Sequence, residues 1–114
     1  MNEEEEWLHE IETLIRAFAN AKANRVYLEH YRKSKLAMLK SQAESEDPVK
    51  YKTDASRETY ARMHPEYLDL LKGFQKATED EEKHRWNLKQ REWKFEQYRT
   101  QQANQRAERS RYGA

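Results

Sequence analysis

From Glu3 to about Ala43 the chain contains neither glycine nor proline, so nothing interrupts a helix once it has started. Glu3, Glu4, Glu5 and Glu6 stand where the positive end of a helix dipole favours acidic side chains. Apolar residues then recur at helical spacing: Trp7, Ile11, Leu14, Phe18, Ala21, Leu28, Leu36 and Leu39. A helix over 3–43 would be roughly 60 Å long, against a usual length of about 11–12 residues. Arg25 and Arg32 sit on the same stripe. A strict coiled-coil seam would not place two arginines there, so this helix packs against something polar or opens toward a ligand.

The rest of the chain is built the same way. Its 114 residues hold two glycines and two prolines, too few for hairpin turns, phosphate-cradling loops or strained nucleophile elbows. A β-sandwich, a Rossmann domain and a P-loop enzyme are thereby excluded. Ala, Glu, Lys, Leu and Arg make up 60 residues, the composition of long helices. Only 16 residues are Leu, Ile, Val or Phe, a thin supply for a core. Disorder would call for a large net charge as well, but 22 basic residues face 21 acidic ones. Cysteine is absent, which removes disulfides, thiolate nucleophiles and zinc fingers.

Residues 44–53 read as a polar connection, with Ser45, Asp47 and Pro48 in it. Thr53 or Asp54 makes an N-cap for a short helix over 54–64. Pro65 suits the first turn of a third helix, and His64 before it is pushed out of helical geometry. That helix runs over 65–110 through Tyr67, Leu71, Phe74, Leu88 and Phe95. Gly73 weakens it by about 1 kcal/mol without stopping it. Tyr112, Gly113 and Ala114 are expected to fray.

The expected fold is all-α: two long helices in an antiparallel hairpin, a short helix at the corner, and one domain over 1–114. Charge supports the pairing. Six glutamates within 3–12 would lie beside the basic tail, and the acidic knot Glu79, Asp80, Glu81 and Glu82 beside Arg25. Two helices bury little surface, so a helical-bundle homo-oligomer is expected.

Glu6-x-x-His9 and Glu81-x-x-His84 have the carboxylate–imidazole spacing of di-iron bundles, yet the hairpin separates them, and acidic runs produce such pairs by chance. His30 and His64 read as surface or hydrogen-bonded imidazoles, and no Ser/His/Asp set can be assembled. No enzymatic activity, cofactor, metal or small-molecule substrate is expected. Basic groups interleaved with aromatics carry more meaning, since cations neutralise phosphates and rings stack on unpaired bases. Arg25, Tyr27, Tyr31, Arg32, Lys33 and Lys35 supply them in the first helix, and Lys89, Arg91 and Lys94 in the last. Trp86 and Trp93 lie seven apart, on one face, and read as core or subunit seam before base-stacking groups.

The run Tyr27-Leu-Glu-His-Tyr-Arg-Lys-Ser-Lys-Leu-Ala, the corner Lys50-Tyr51-Lys52, Tyr67 and the long charged helix resemble small all-helical proteins of phage replication and recombination regions. UvsY-type recombination mediators are the named comparison. The resemblance implies an oligomeric accessory protein that binds single-stranded DNA and helps load a recombinase, in the cytoplasm of a bacterial host. The alternative is a protein-interaction module that inhibits a host defence or regulatory complex. It would use Glu3, Glu4, Glu5 and Glu6 with Glu79, Asp80, Glu81 and Glu82, where phosphates would be repelled. The N-terminus is acidic where a signal peptide is basic, and no long apolar run follows, so a soluble protein is expected. Circular dichroism should show well over half helix, and light scattering a mass above the 13.9 kDa of one chain; a β-rich monomer would overturn both expectations.

Overall fold

The computed structural model describes residues 1–112. Among these residues all regular structure is helical: α1 (Glu3–Glu46), α2 (Asp54–Met63) and α3 (Pro65–Tyr112). Gly113 and Ala114, expected to fray, lie outside the described residues. Tyr112 is the last residue of α3, with the Arg111 guanidinium over its ring. No helix among the described residues is long and apolar enough to cross a membrane.

Helix ends follow local chemistry. Asn2, unassigned on sequence grounds, caps α1, its Oδ1 accepting from the Glu5 amide at 2.8 Å. α1 runs three residues past its expected end, because Glu44, Ser45 and Glu46 have no steric reason to leave the helix. Pro48 then forbids continuation. Asp47 organises the turn, accepting from the Lys50 amide on its carboxylate and from the Tyr51 amide on its carbonyl. Between the two N-cap candidates the hydroxyl prevails. Thr53 is extended and its Oγ1 accepts from the Ser56 amide at 3.1 Å, while Asp54 occupies the first turn. His64 is extended, as the following Pro65 requires, and leaves one non-helical residue between α2 and α3. α3 passes through Gly73, where a Cβ would meet nothing within 4 Å.

The chain divides into two compact units. The corner unit, residues 20–81, has a core of Leu39, Ala61 and Tyr67, with Leu36 and Leu71 packed against it. Each of the three helices contributes to this cluster. Within the unit α1 and α3 run in opposite directions: Arg25 meets Glu81, Arg32 lies over Phe74, and Lys35 meets Glu66.

The terminal unit takes residues 1–19 and, among the described residues, 82–112. It is held by aromatic rings. Trp7 stacks on Tyr98 at 5.8 Å and tilts against Phe95 at 6.0 Å, and Phe95 is buried. Here too the segments are antiparallel, with Glu10 against Arg91 and Phe18 under Arg85.

Leu39 is 1 % exposed and is the largest fully buried side chain. Leu39→Ala should cost about 2–5 kcal/mol in urea unfolding, as for other buried leucines. Met63→Ala, at an exposed position, should stay within about 0.5 kcal/mol of the parent.

Candidate nucleic-acid interface

Four of the seven basic residues that the sequence offers to nucleic acid, Arg25, Arg32, Lys35 and Arg91, meet side chains of the facing helix. Arg25 projects from α1 so that its Nε meets Glu81 Oε2 at 2.5 Å, with Nη1 on Glu29 at 2.8 Å. Glu81 holds the guanidinium pKa above its ordinary value, chiefly by this hydrogen bond and against the opposing effect of burial. The two arginines on the apolar stripe are thus accommodated by polar and aromatic partners on α3, since Arg32 sits 5.3 Å from the Phe74 ring centre. Lys35 Nζ reaches Glu66 at 2.6 Å, and Arg91 reaches Glu10 at 2.6 Å while covering the Trp7 ring. Arg25, Lys35 and Arg91 are therefore each paired with a glutamate of the same chain. Spacing along one helix cannot reveal which carboxylates a second helix brings up.

The acidic knot is divided in the same way. Glu81 is 4 % exposed and faces Arg25, whereas the sequence groups it with its exposed neighbours as a candidate contact for a partner protein. Glu79, Asp80 and Glu82 are exposed, with Glu82 3.5 Å from Arg85. Glu3, Glu4, Glu5 and Glu6 are exposed in the first turn of α1. Burial, followed by Glu3, raises the Tyr98 phenol above its ordinary range. Glu81 also belonged to one Glu-x-x-His pair. No group of three or more His, Asp and Glu side chains among the described residues could hold a metal ion.

Other candidates stay open to solvent. Tyr27 and Tyr31 are exposed, and their rings stack at 6.0 Å with an interplanar angle of 5°. Lys33 and Lys94 are exposed, and Lys89 is held 5.0 Å from the Trp86 ring centre. Trp86 and Trp93 are 46 % and 55 % exposed, edge to face at 6.4 Å, and so do not belong to the core of this chain. Beyond Tyr98, α3 presents exposed Arg99, Arg106, Arg109 and Arg111 against a single acidic residue, Glu108. Arg99, Arg106 and Arg109 line a groove of about 390 Å³ with Tyr98, Gln102 and Glu4. The sequence showed the basic excess of this tail. It did not show the arginines' partners: Arg99 lies over the Phe95 ring, Arg106 donates to the Gln102 carbonyl and Arg111 lies over the Tyr112 ring, so none of these three contacts is with a carboxylate.

A wider groove, about 670 Å³, opens at the corner between Tyr51, Tyr60, Met63, His64 and Pro65. Its hydroxyls are committed locally. Tyr60 donates to Glu46, Thr59 to the Ala55 carbonyl and Ser56 to the Thr53 carbonyl. His64 Nδ1 accepts from the Glu66 amide, the hydrogen-bonded imidazole expected from sequence. Comparison with protein-family models, with characterised proteins and with solved structures gives no match for this chain.

Two measurements test these assignments. Glu81→Ala should lower the melting temperature clearly more than Glu79→Ala, because it removes the carboxylate that Arg25 meets across the seam and leaves it Glu29 alone. The pH profile should have two limbs. Lys35 lowers the Glu66 carboxyl below 4.5 and Lys40 lowers the Asp54 carboxyl below 3.8, so their stabilisation is present above those values and is lost as pH falls through the lowered ones. Lys35 is raised above 10.5 by Glu66, and its share is lost only as pH rises through that raised value. Glu66→Gln should flatten both limbs in a melting series across pH.

Proposed function

We propose that this protein binds single-stranded DNA without reacting with it, as an oligomeric accessory protein of the phage recombination type. The observation that carries the reading is the cationic surface of α3 beyond Tyr98, whose charges are not neutralised by carboxylates. Among the described residues, Arg99, Arg106, Arg109 and Arg111 have no carboxylate within ion-pair distance. Phosphates would gain there what Arg25, Lys35 and Arg91 already obtain from glutamates. Unpaired bases rather than duplex are favoured as the ligand, because Tyr112 is exposed beside Arg111, and the stacked Tyr27 and Tyr31 are exposed near Lys33. The reading includes an antiparallel helical hairpin that assembles with further copies. Exposed Leu8, Ile15, Trp86 and Trp93 support that assembly.

A protein-interaction role is the second reading, favoured by the exposed Glu3, Glu4, Glu5 and Glu6. Fluorescence anisotropy with single- and double-stranded oligonucleotides over a salt series separates the two. Single-strand preference with affinity falling steeply with salt is the expected result. Arg106→Ala and Arg109→Ala should each reduce the slope of log affinity against log salt by about 0.7 with little change in melting. Absence of binding at low salt, or an unchanged slope in folded variants, would overturn the DNA reading and leave the protein-interaction role.

A further inference from the structure

The two exposed tryptophans occupy an improbable place on their helix. Within the terminal unit, Leu88, Arg91, Phe95 and Tyr98 form the face of α3 turned toward α1. At about 100° per residue, Trp86 and Trp93 point almost directly away from that face and lie within about 20° of each other. A helix paired only along its seam has no use for two large rings on its back. Each loses hydration no better than a surface residue, and two adjacent rings make an apolar ridge on a chain otherwise dense in charge.

The flanks of the ridge differ in charge. On one side stand Lys83, Asn87, Lys94 and Gln101, with no carboxylate among them, while Gln90 and Gln97 lie beside the tryptophans at the centre of the ridge. On the other stand Glu82, Glu92 and Glu96, with Arg85 committed to Phe18 and Glu82, and Lys89 drawn over Trp86. When two identical helices pack in parallel, each sets its left flank against the other's right flank. When they pack antiparallel, like flanks meet. Parallel packing therefore places the lysine flank of each copy against the glutamate flank of the other, and antiparallel packing sets lysines against lysines.

We propose that the Trp86–Trp93 ridge is the seam at which a second copy of this chain packs, with its α3 parallel. The tryptophans fill the centre of the contact, and the Lys83–Lys94 flank of each copy faces the Glu82–Glu96 flank of the other. This rests on the oligomeric part of the proposed function and not on DNA binding, which uses other residues.

The test combines mass with cross-linking. Trp86→Ala and Trp93→Ala should reduce the mass in light scattering while leaving helicity intact, since both rings lie outside the chain's own core. Lys94→Glu should weaken association at low salt, and adding Glu96→Lys should restore it. The chain lacks cysteine, so single substitutions report on geometry directly. Gln90→Cys and Gln97→Cys should each form a symmetric disulfide between copies with both tryptophans in place. A disulfide at only one of these positions would indicate antiparallel packing and overturn the proposal. So would a monomeric parent protein. Tryptophan variants of unchanged mass that lose single-strand affinity would assign the ridge to base stacking instead, with the same consequence.

Discussion

A guanidinium inserted between two helices governs much of this molecule. Arg25 stands on the apolar stripe of α1, and its charge is tolerated only because Glu81 arrives from α3 with its carboxylate aligned and Glu29 closes the other side. Repeated along the helices, the same solution supplements the small core around Leu39. Arg32 covers Phe74, Arg85 covers Phe18, and Arg91 covers Trp7 while holding Glu10. Each contact joins a delocalised cation to a ring or carboxylate on the facing helix. Such pairs fix alignment better than leucines would, because a shift of one helical turn takes Arg25 and Arg91 away from their glutamates and Arg32 and Arg85 away from their rings.

That mode of packing explains why element boundaries were accessible from sequence. The helix signals are local: acidic first turns, a threonine before the short helix, a proline opening the long one. The apolar stripe from Trp7 to Leu39 was visible because its period belongs to one helix alone. The reading went astray where a local rule had two valid outcomes. Glu44–Glu46 is polar enough for a connection and helical enough for a last turn, and Pro48 decided it.

The functional surface was less accessible, for a different reason. Arg25, Lys35 and Arg91 look like Lys33, Lys94 and Arg106 in sequence; only the partner helix shows which cations meet a carboxylate. Glu81 and Glu79 pose the same problem with the sign reversed. The tryptophans are the sharper case. Seven-residue spacing showed that Trp86 and Trp93 share a face, but the choice between inner and outer face depends on where Leu88 and Phe95 point. The corner groove had no sequence signal at all, since Tyr51, Tyr60 and His64 are gathered by the turn around Asp47.

Because α3 carries its seam on one side and its tryptophans on the other, the two are locked in phase by the helix itself. Removing or adding one residue between Trp86 and Phe95 would turn everything before it by about 100° against everything after it, and so break both faces at that point. Substitution can therefore drift freely at many exposed positions of this segment, whereas length cannot. Only a change of seven residues, two turns, would return both faces to their places. The segment from Glu82 to Tyr98 should accordingly behave in evolution like a ruler, variable in what is written on it and constant in its divisions.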